Sequence, residues 1–294
     1  MSPTNRYLDP TNDVAFKRVF SDERRMMDFL NAILRLPEGE KIETLDFVPN
    51  EQVPDLGQGK RSLFDLKCKD QSGTQFLVEM QCRRTPLLMN RIQFYGAHSY
   101  TAQMQKGKKT HEDLLPVVVL TIMGESLLPP HIEVISYHKV REEKSQECFL
   151  DGLSYVFVEL SKFEKSENEL ESFEDEWLYF LKHTEESTEP PKTLKDALVM
   201  EAYPVMERFN WSPEAYDAYV RASLLIWEEE FEKKAEFNAG KKEGIEKGIE
   251  QGEKQKAIAM AKTLLQEGVS LTVVAKASGL STEELKQLFG KENT

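Results

Sequence analysis

The sequence predicts a mixed α/β core followed by an α-helical C-terminal region, and three observations carry that reading. Elements over the first half of the chain order as helix, strand, strand, strand, helix, strand. Val117 to Ile122 is a nearly continuous apolar run, the pattern of a strand covered on both faces. Beyond Pro190-Pro191 the apolar spacing is helical throughout. At 294 residues the chain holds one large domain with an appendage or two modest ones.

Taken in order, Thr11 to Leu36 repeats Val14, Phe16, Val19, Phe20, Met26, Met27, Phe29, Leu30, Ile33 and Leu34 at helical spacing. Thr11 or Asn12 caps its start, Pro37 and Gly39 end it, and the segment is one helix or two short ones broken near Ser21-Asp22. Ile42 to Val48 reads as a strand and Asn50 to Gly59, with Pro54, Gly57 and Gly59, as a loop. Two strands follow, Arg61 to Lys69 and Gln75 to Gln81. They are joined by Gln71-Ser72-Gly73, a three-residue turn with Gly where a left-handed conformation is wanted. A helix from about Leu88 to Lys106 leads into the Val117 strand, and Ile132 to Tyr137 and Tyr155 to Leu160 are later strands.

Ser212-Pro213 opens a helix that can run unbroken past Phe237. Gly240, Gly244, Gly248 and Gly252 then recur at intervals of four, each costing roughly 1 kcal/mol relative to Ala inside a helix. Glycines four apart share one face and admit a second helix closely, which suggests pairing with another copy of the chain; a frayed linker helix is the alternative. Glu243 with Lys247, and Glu250 with Lys254, are i to i+4 pairs of favourable polarity. A helix from Gln255 to Gln266 precedes a helical hairpin, with Ser270 as first cap, Gly279 in the turn and Ser281 with Glu284 as a capping box. The hairpin has the outline of a helix-turn-helix. Its second helix opens on Glu283-Glu284, however, where a DNA-reading helix needs positive or neutral donors, so packing or oligomerisation is its expected role. The expected divisions are 1–165, a core domain; 166–237, an acidic then helical region packed on it; and 238–294, the glycine-repeat helix and hairpin.

Composition narrows the function classes. Hydrophobic residues at 40% and charged ones at 30% exclude a wholly disordered or collagenous chain. The longest apolar candidate, Leu114 to Met123, is ten residues, against the ~20 that span a bilayer, so no membrane partner is expected. The start lacks the apolar stretch of a secretory signal, which makes the cytoplasm the expected address. Three cysteines in no paired spacing suggest neither a disulfide framework nor a zinc cluster, and the five histidines show no metal-ligand or triad spacing. The net charge of −13 is unevenly spread: residues 1–110 carry 17 Lys and Arg against 14 Asp and Glu, while residues 111–294 carry 21 against 37. Ten acids face two lysines between Glu164 and Glu189, which reads as a solvated acidic surface. The first third therefore stays eligible for a polyanion.

Chemistry concentrates in the strand pair. Period two puts Phe64, Leu66 and Cys68 on one face of the first strand and Phe76, Val78 and Met80 on one face of the second, the expected core sets. Their opposites are Asp65, Lys67 and Lys69, and Leu77, Glu79 and Gln81. Folding the hairpin about Ser72 sets Asp65 opposite Glu79, a register that a bulge at Gly73 would shift. Directly opposed residues have Cβ atoms roughly 5 Å apart, and like charges there repel. A divalent cation between the carboxylates turns repulsion into binding, and hard oxygen ligands suit Mg2+. The plain alternative is two solvated surface carboxylates.

The sequence resembles the PD-(D/E)XK nuclease superfamily, and within it the Rpn family of recombination-promoting nucleases, also described as PD-(D/E)XK nuclease family transposases. The residues that carry the resemblance are Asn12-Asp13-Val14-Ala15-Phe16-Lys17-Arg18-Val19-Phe20, the Asp65 strand, Val78-Glu79-Met80-Gln81, Arg91 through Tyr95, Gln103, Gly107 and the strand beginning at Pro116. The glycine-repeat tail is similar as well. The resemblance implies a restriction-endonuclease-like core of helix, three-stranded meander, helix and strand within 1–165. It implies metal-dependent DNA endonuclease activity with Asp65, Glu79 and Gln81 as catalytic residues. Asp65, Glu79 and the backbone carbonyl of Met80 would be ligands of Mg2+, which Mn2+ can replace. Gln81 stands where the superfamily usually has lysine; it can orient a water but brings no charge, so more of the electrostatic work falls on the metal. Lys67 either compensates or is a solvated cross-strand partner. Asp13 either adds an acid to the site or only favours the positive end of its helix. Lys17 and Arg91 are candidates for gripping flanking phosphates, and Tyr95 stacks or simply packs. No base-reading element is evident, so low sequence specificity is expected, with DNA as partner and a homodimer through the C-terminal helices. The competing reading is a catalytically silent nuclease-like module that interacts through its acidic middle and glycine-rich helix.

Overall fold

Two N-caps divide the first helical stretch. In a computed structural model, which describes residues 5–37, 39–48, 64–83, 85, 87–104 and 110–290 with the side chains of residues 229, 230 and 233 excepted, there are two short helices here. The Asn12 side chain accepts from the Val14 N–H to start α1, Asp13–Phe20, and Asp22 accepts from the N–H groups of Arg24 and Arg25 to start α2, Glu23–Ile33. Helix α2 stops at Ile33, short of Pro37. Asn12 is itself buried, and its amide donates to Tyr219 O at 3.2 Å and Ser223 Oγ at 2.9 Å, which fixes where α1 begins.

Strands β1 (Leu45–Phe47), β2 (Leu66–Asp70) and β3 (Gln75–Gln81) form an antiparallel meander. The turn between β2 and β3 closes as expected: the Asp70 N–H donates to Thr74 O at 3.2 Å, and Gly73 has φ +84°. Helix α3, Leu88–Thr101, carries the chain over to β4, Val117–Met123, which lies parallel to β3. Strands β5 (Ile135–Val140) and β6 (Leu150–Glu159) complete a six-stranded sheet in the order β1-β2-β3-β4-β6-β5, with β6 parallel to β4. Both later strands are displaced from the expected limits by a few residues. The expected loop from Asn50 to Gly59, residues 61–63 of the expected strand, Gly107 and the expected helix end at Lys106 lie outside the described residues.

Helices cover both faces of the sheet. Leu66, Cys68, Phe76, Val78, Met80, Leu120 and Ile122 pack with α1 and α2, and with α4 (Phe173–His183) and α5 (Ala197–Met206). Leu77, Val117, Val119, Met123 and Phe157 pack on the other side with Leu88 and Ile92 of α3. Phe64 belongs to this second cluster, not to the side of Leu66 and Cys68. The alternation expected for the first strand breaks there because the chain bends at residues 64 and 65 and β2 begins only at Leu66.

The acidic stretch is also not simply a solvated surface. It contains α4, whose Trp177, Leu178, Phe180 and Leu181 are core residues, and two of its acids are buried. Asp175 closes a capping box with Ser172, and Glu176 accepts from the Lys195 and Asp196 N–H groups at 2.9–3.1 Å. Those buried carboxylates satisfy main-chain donors that the fold leaves unpaired.

The chain divides into two compact units, Met1–Ser223 and Leu224–Thr294. Helix α6 runs unbroken from Pro213 to Gln266, and a Cβ built at Gly240, Gly244, Gly248 or Gly252 meets no described atom within 4 Å. In the second unit, the end of α6 packs with α7 (Leu271–Ser278) and α8 (Thr282–Phe289) around Ala261, Val274, Leu280 and Leu285. Gly279 makes the left-handed turn between α7 and α8 at φ +73°. No helix among the described residues is long and apolar enough to cross a membrane.

Gly73→Ala would force a side chain into left-handed backbone and against Leu115 Cδ1. A loss of about 1–2 kcal/mol is expected, readable as a lower denaturant midpoint.

Candidate active site

The site forms where β2 runs out. Leu66 pairs with Val78 and Lys67 with Leu77, the register expected for a turn centred on Ser72, but the ladder ends there: Asp65 lies in the bend before β2 and donates its N–H to Val78 O at 3.1 Å, so it flanks Glu79 from the end of the ladder and is not its ladder partner. Beyond Leu66 no strand residue is left to accept from Met80, and the Asp65 carboxylate takes that place: its Oδ2 accepts the Met80 N–H at 2.7 Å. A residue's N–H and C=O point to the same side of a strand, so the Met80 carbonyl also faces the gap past the end of β2.

Two cations approach the acids, one from each face of the sheet. Lys17, on α1, places Nζ 3.0 Å from Asp65 Oδ1 and 2.6 Å from Asp13 Oδ1, four residues back on its own helix. Arg91, on α3, places Nη2 3.2 Å from Glu79 Oε1 and 2.8 Å from Gln81 Oε1. The Asp65 and Glu79 side chains are 10% and 16% exposed, against 35% for Lys17 and 38% for Arg91, so the acids are sunk and the cations reach outward.

Burial dominates the electrostatics. It pushes the Asp65 carboxyl up to about 7, with help from the neighbouring Asp13 and against the Met80 N–H and Lys17. It pushes Glu79 up to about 8, with the charge of Asp65 adding to the rise and Arg91 and Lys17 opposing it. Burial also works to raise Asp13, but hydrogen bonding with Asp65 and Lys17 outweighs it and holds Asp13 below the usual carboxylate range. Burial raises both carboxyls, and a cation placed between them would favour their ionised forms. Among the described residues no three His, Cys, Asp or Glu side chains gather closely enough to hold a metal by themselves.

The model of the PD-(D/E)XK nuclease family transposase family matches residues 10–235, and that of the Rpn/YhgA-like nuclease family C-terminal HTH domain matches residues 254–290. The chain belongs to the PD-(D/E)XK nuclease family transposases. Comparisons with curated proteins and with solved structures gave no match. A nuclease-family domain followed by a helix-turn-helix domain supports DNA as the partner. The match at 254–290 changes the weight given to the two acids that open α8. Glu284 accepts from the Ser281 N–H and Oγ at 2.8 Å, and Glu283 accepts from Thr282 Oγ1 at 3.2 Å, so both serve the helix start.

Other candidates fall differently. Lys67 pairs with Leu77 inside the β2/β3 ladder, one alternate position inward from Asp65, and its carbonyl accepts from the Val48 N–H at 2.8 Å. The Tyr95 ring meets Phe64 and Phe94 edge-on, both at 5.6 Å, and packs in the α3 cluster. Gln103 clamps the approach to β4, its amide donating to Leu115 O at 2.9 Å and accepting from the Leu115 N–H at 3.0 Å. Thr121 was not expected at all: it is the register partner of Glu79 on β4, and the signal for it is that it alone is polar within Val117–Met123.

The raised carboxyls fix a sign. Free Asp and Glu titrate near 3.9 and 4.3, so between about pH 4 and 8 the folded metal-free protein binds more protons here than the unfolded chain does. Stability then falls as pH rises through the folded values. Glu79→Gln is expected to be nearer to the wild type in melting temperature at pH 4 and to melt above it at pH 8, both without metal.

Proposed function

We propose that the chain is a divalent-metal-dependent DNA endonuclease of low sequence specificity, hydrolysing phosphodiester bonds in the cytoplasm and serving recombination. What supports this most is the joint burial of Asp65 and Glu79 at the carboxyl end of β3, between Lys17 and Arg91. In α/β sheets the space outside the carboxyl ends of parallel strands is where ligands bind. The donor set fits a hard cation: two carboxylates and the Met80 carbonyl, with water completing a shell that side chains alone do not fill. Bound there, Mg2+ or Mn2+ supplies an activated water and neutralises charge developing on the phosphate.

The chain's own residues do the remainder. Asp65 and Glu79 hold the cation. Gln81, its amide oxygen fixed by Arg91 at 2.8 Å, leaves its NH2 group to orient a water by hydrogen bonding. The charge that Gln81 lacks is present nearby on Lys17 and Arg91, whose partly exposed heads can meet phosphate oxygens. Asp13 holds Lys17 in place. Contacts to phosphate carry no base information, hence the low specificity. A homodimer through the C-terminal helices would bring two sites to two strands. Its support is the run of four glycines in α6 with open space at each Cβ position, which cost about 1 kcal/mol each unless a second helix uses the room they leave.

The competing reading, a silent nuclease-like interaction module, draws on Gln81 in place of lysine. Supercoiled plasmid incubated with Mg2+ or Mn2+ separates the two. The wild type is expected to nick it, with Asp65→Ala and Glu79→Ala each at least about 100-fold slower; equal rates in all three, or none in the wild type, favour the silent module. For the dimer, Gly244→Leu with Gly248→Leu in the full chain is expected to shift the sedimenting species from dimer to monomer.

A further inference from the structure

One buried hydroxyl beside the acid pair serves no structural purpose. Thr121 is fully buried, and its Oγ1 finds no hydrogen-bond partner among the described residues. An unpaired buried hydroxyl costs stability that a valine of the same shape does not. Valine is what β4 uses at 117, 118 and 119. The surroundings leave Thr121 little to bond. Val119 and Met123, on its own face, belong to the apolar cluster under α3, and its register partner on β6 is Phe157. Its register partner on β3 is Glu79. Adjoining strands lie about 4.8 Å apart and register partners project from the same face, so Glu79 is the polar side chain set beside that hydroxyl.

The geometry points to Thr121 as a positioning residue for Glu79: its Oγ1–H donates to the Glu79 carboxylate and fixes its orientation once that carboxylate leaves Arg91 to hold a cation. This rests on the nuclease reading above, in which Glu79 is a metal ligand. Glu79 Oε1 accepts from Arg91 Nη2 at 3.2 Å, and the Thr121 hydroxyl has no partner among the described residues. Carboxylates that ligate metals are themselves held by hydrogen bonds from a surrounding layer of residues, and Thr121 is placed to supply one. A polar group that breaks the apolar rule of its strand, next to a ligand, is where function overrides packing.

Thr121→Val and Thr121→Ser in the full chain test this through three readouts: melting temperature of the metal-free protein, Mn2+ affinity by calorimetry, and plasmid nicking. Thr121→Val is expected to melt about 2–6 °C above the wild type. It should bind Mn2+ about tenfold more weakly and nick at least tenfold more slowly, and Thr121→Ser should recover most of both losses. A higher melting temperature with wild-type Mn2+ affinity and turnover overturns the positioning role and leaves the nuclease reading standing. An unchanged or lower melting temperature also overturns it, because the hydroxyl would then already be bonded. If the wild type neither binds Mn2+ nor nicks, and Asp65→Ala behaves identically, the nuclease reading fails and the positioning role falls with it.

Discussion

Two carboxylates, Asp65 and Glu79, are forced together in a place where water cannot separate their charges, and the first unit is organised around that constraint. Neither acid could sit there without something to counter it. Lys17 arrives from one face and Arg91 from the other, while the Met80 N–H takes one oxygen of Asp65. Each of those contacts depends on an element further away. Asn12 sets the first turn of α1 and so the height at which Lys17 projects. Gly96 lets α3 lie against Val119 of β4 and so brings Arg91 within reach, since a Cβ there would stand 3.1 Å from that valine. The apolar clusters on the two faces hold these helices in register with the strands.

Much of this was legible in the residues. A Gly in the β2/β3 turn and the alternation of β3 were enough to set the register in which Leu66 meets Val78 and Lys67 meets Leu77, although the ladder stops before the expected rung of Asp65 and Glu79. The break at Ser21-Asp22 was written in the capping chemistry of Asp22. What could not be read was decided at a distance. Phe64 departs from the side of Leu66 because the chain bends before β2 and an α3 cluster with Tyr95 waits on the other face. Asp175 and Glu176 look like members of a solvated acidic run, and only tertiary packing shows that they answer main-chain donors. Arg91 reads as a free phosphate clamp until its partners on β3 are seen, and Thr121 reads as an ordinary strand residue until its hydroxyl proves to have no partner among the described residues.

The two units present different physics. In the first, sheet and helices bury a large core around a polar notch. In the second, a long helix rich in glycine ends in a small helical hairpin whose core is four residues. The acids at the start of α8 cap their own helix, so their charge does not by itself argue against nucleic acid, and the family assignment of that segment as a helix-turn-helix domain fits its outline.

The central proposal is that the Asp65 and Glu79 pair, flanked by Lys17 and Arg91, holds a cation. Anomalous diffraction from crystals soaked in Mn2+ tests it most directly. A peak is expected about 2.0–2.4 Å from an oxygen of each carboxylate, with the Lys17 ammonium withdrawn from Asp65. The absence of a peak there at a saturating concentration, with the Lys17 to Asp65 contact intact, would contradict it.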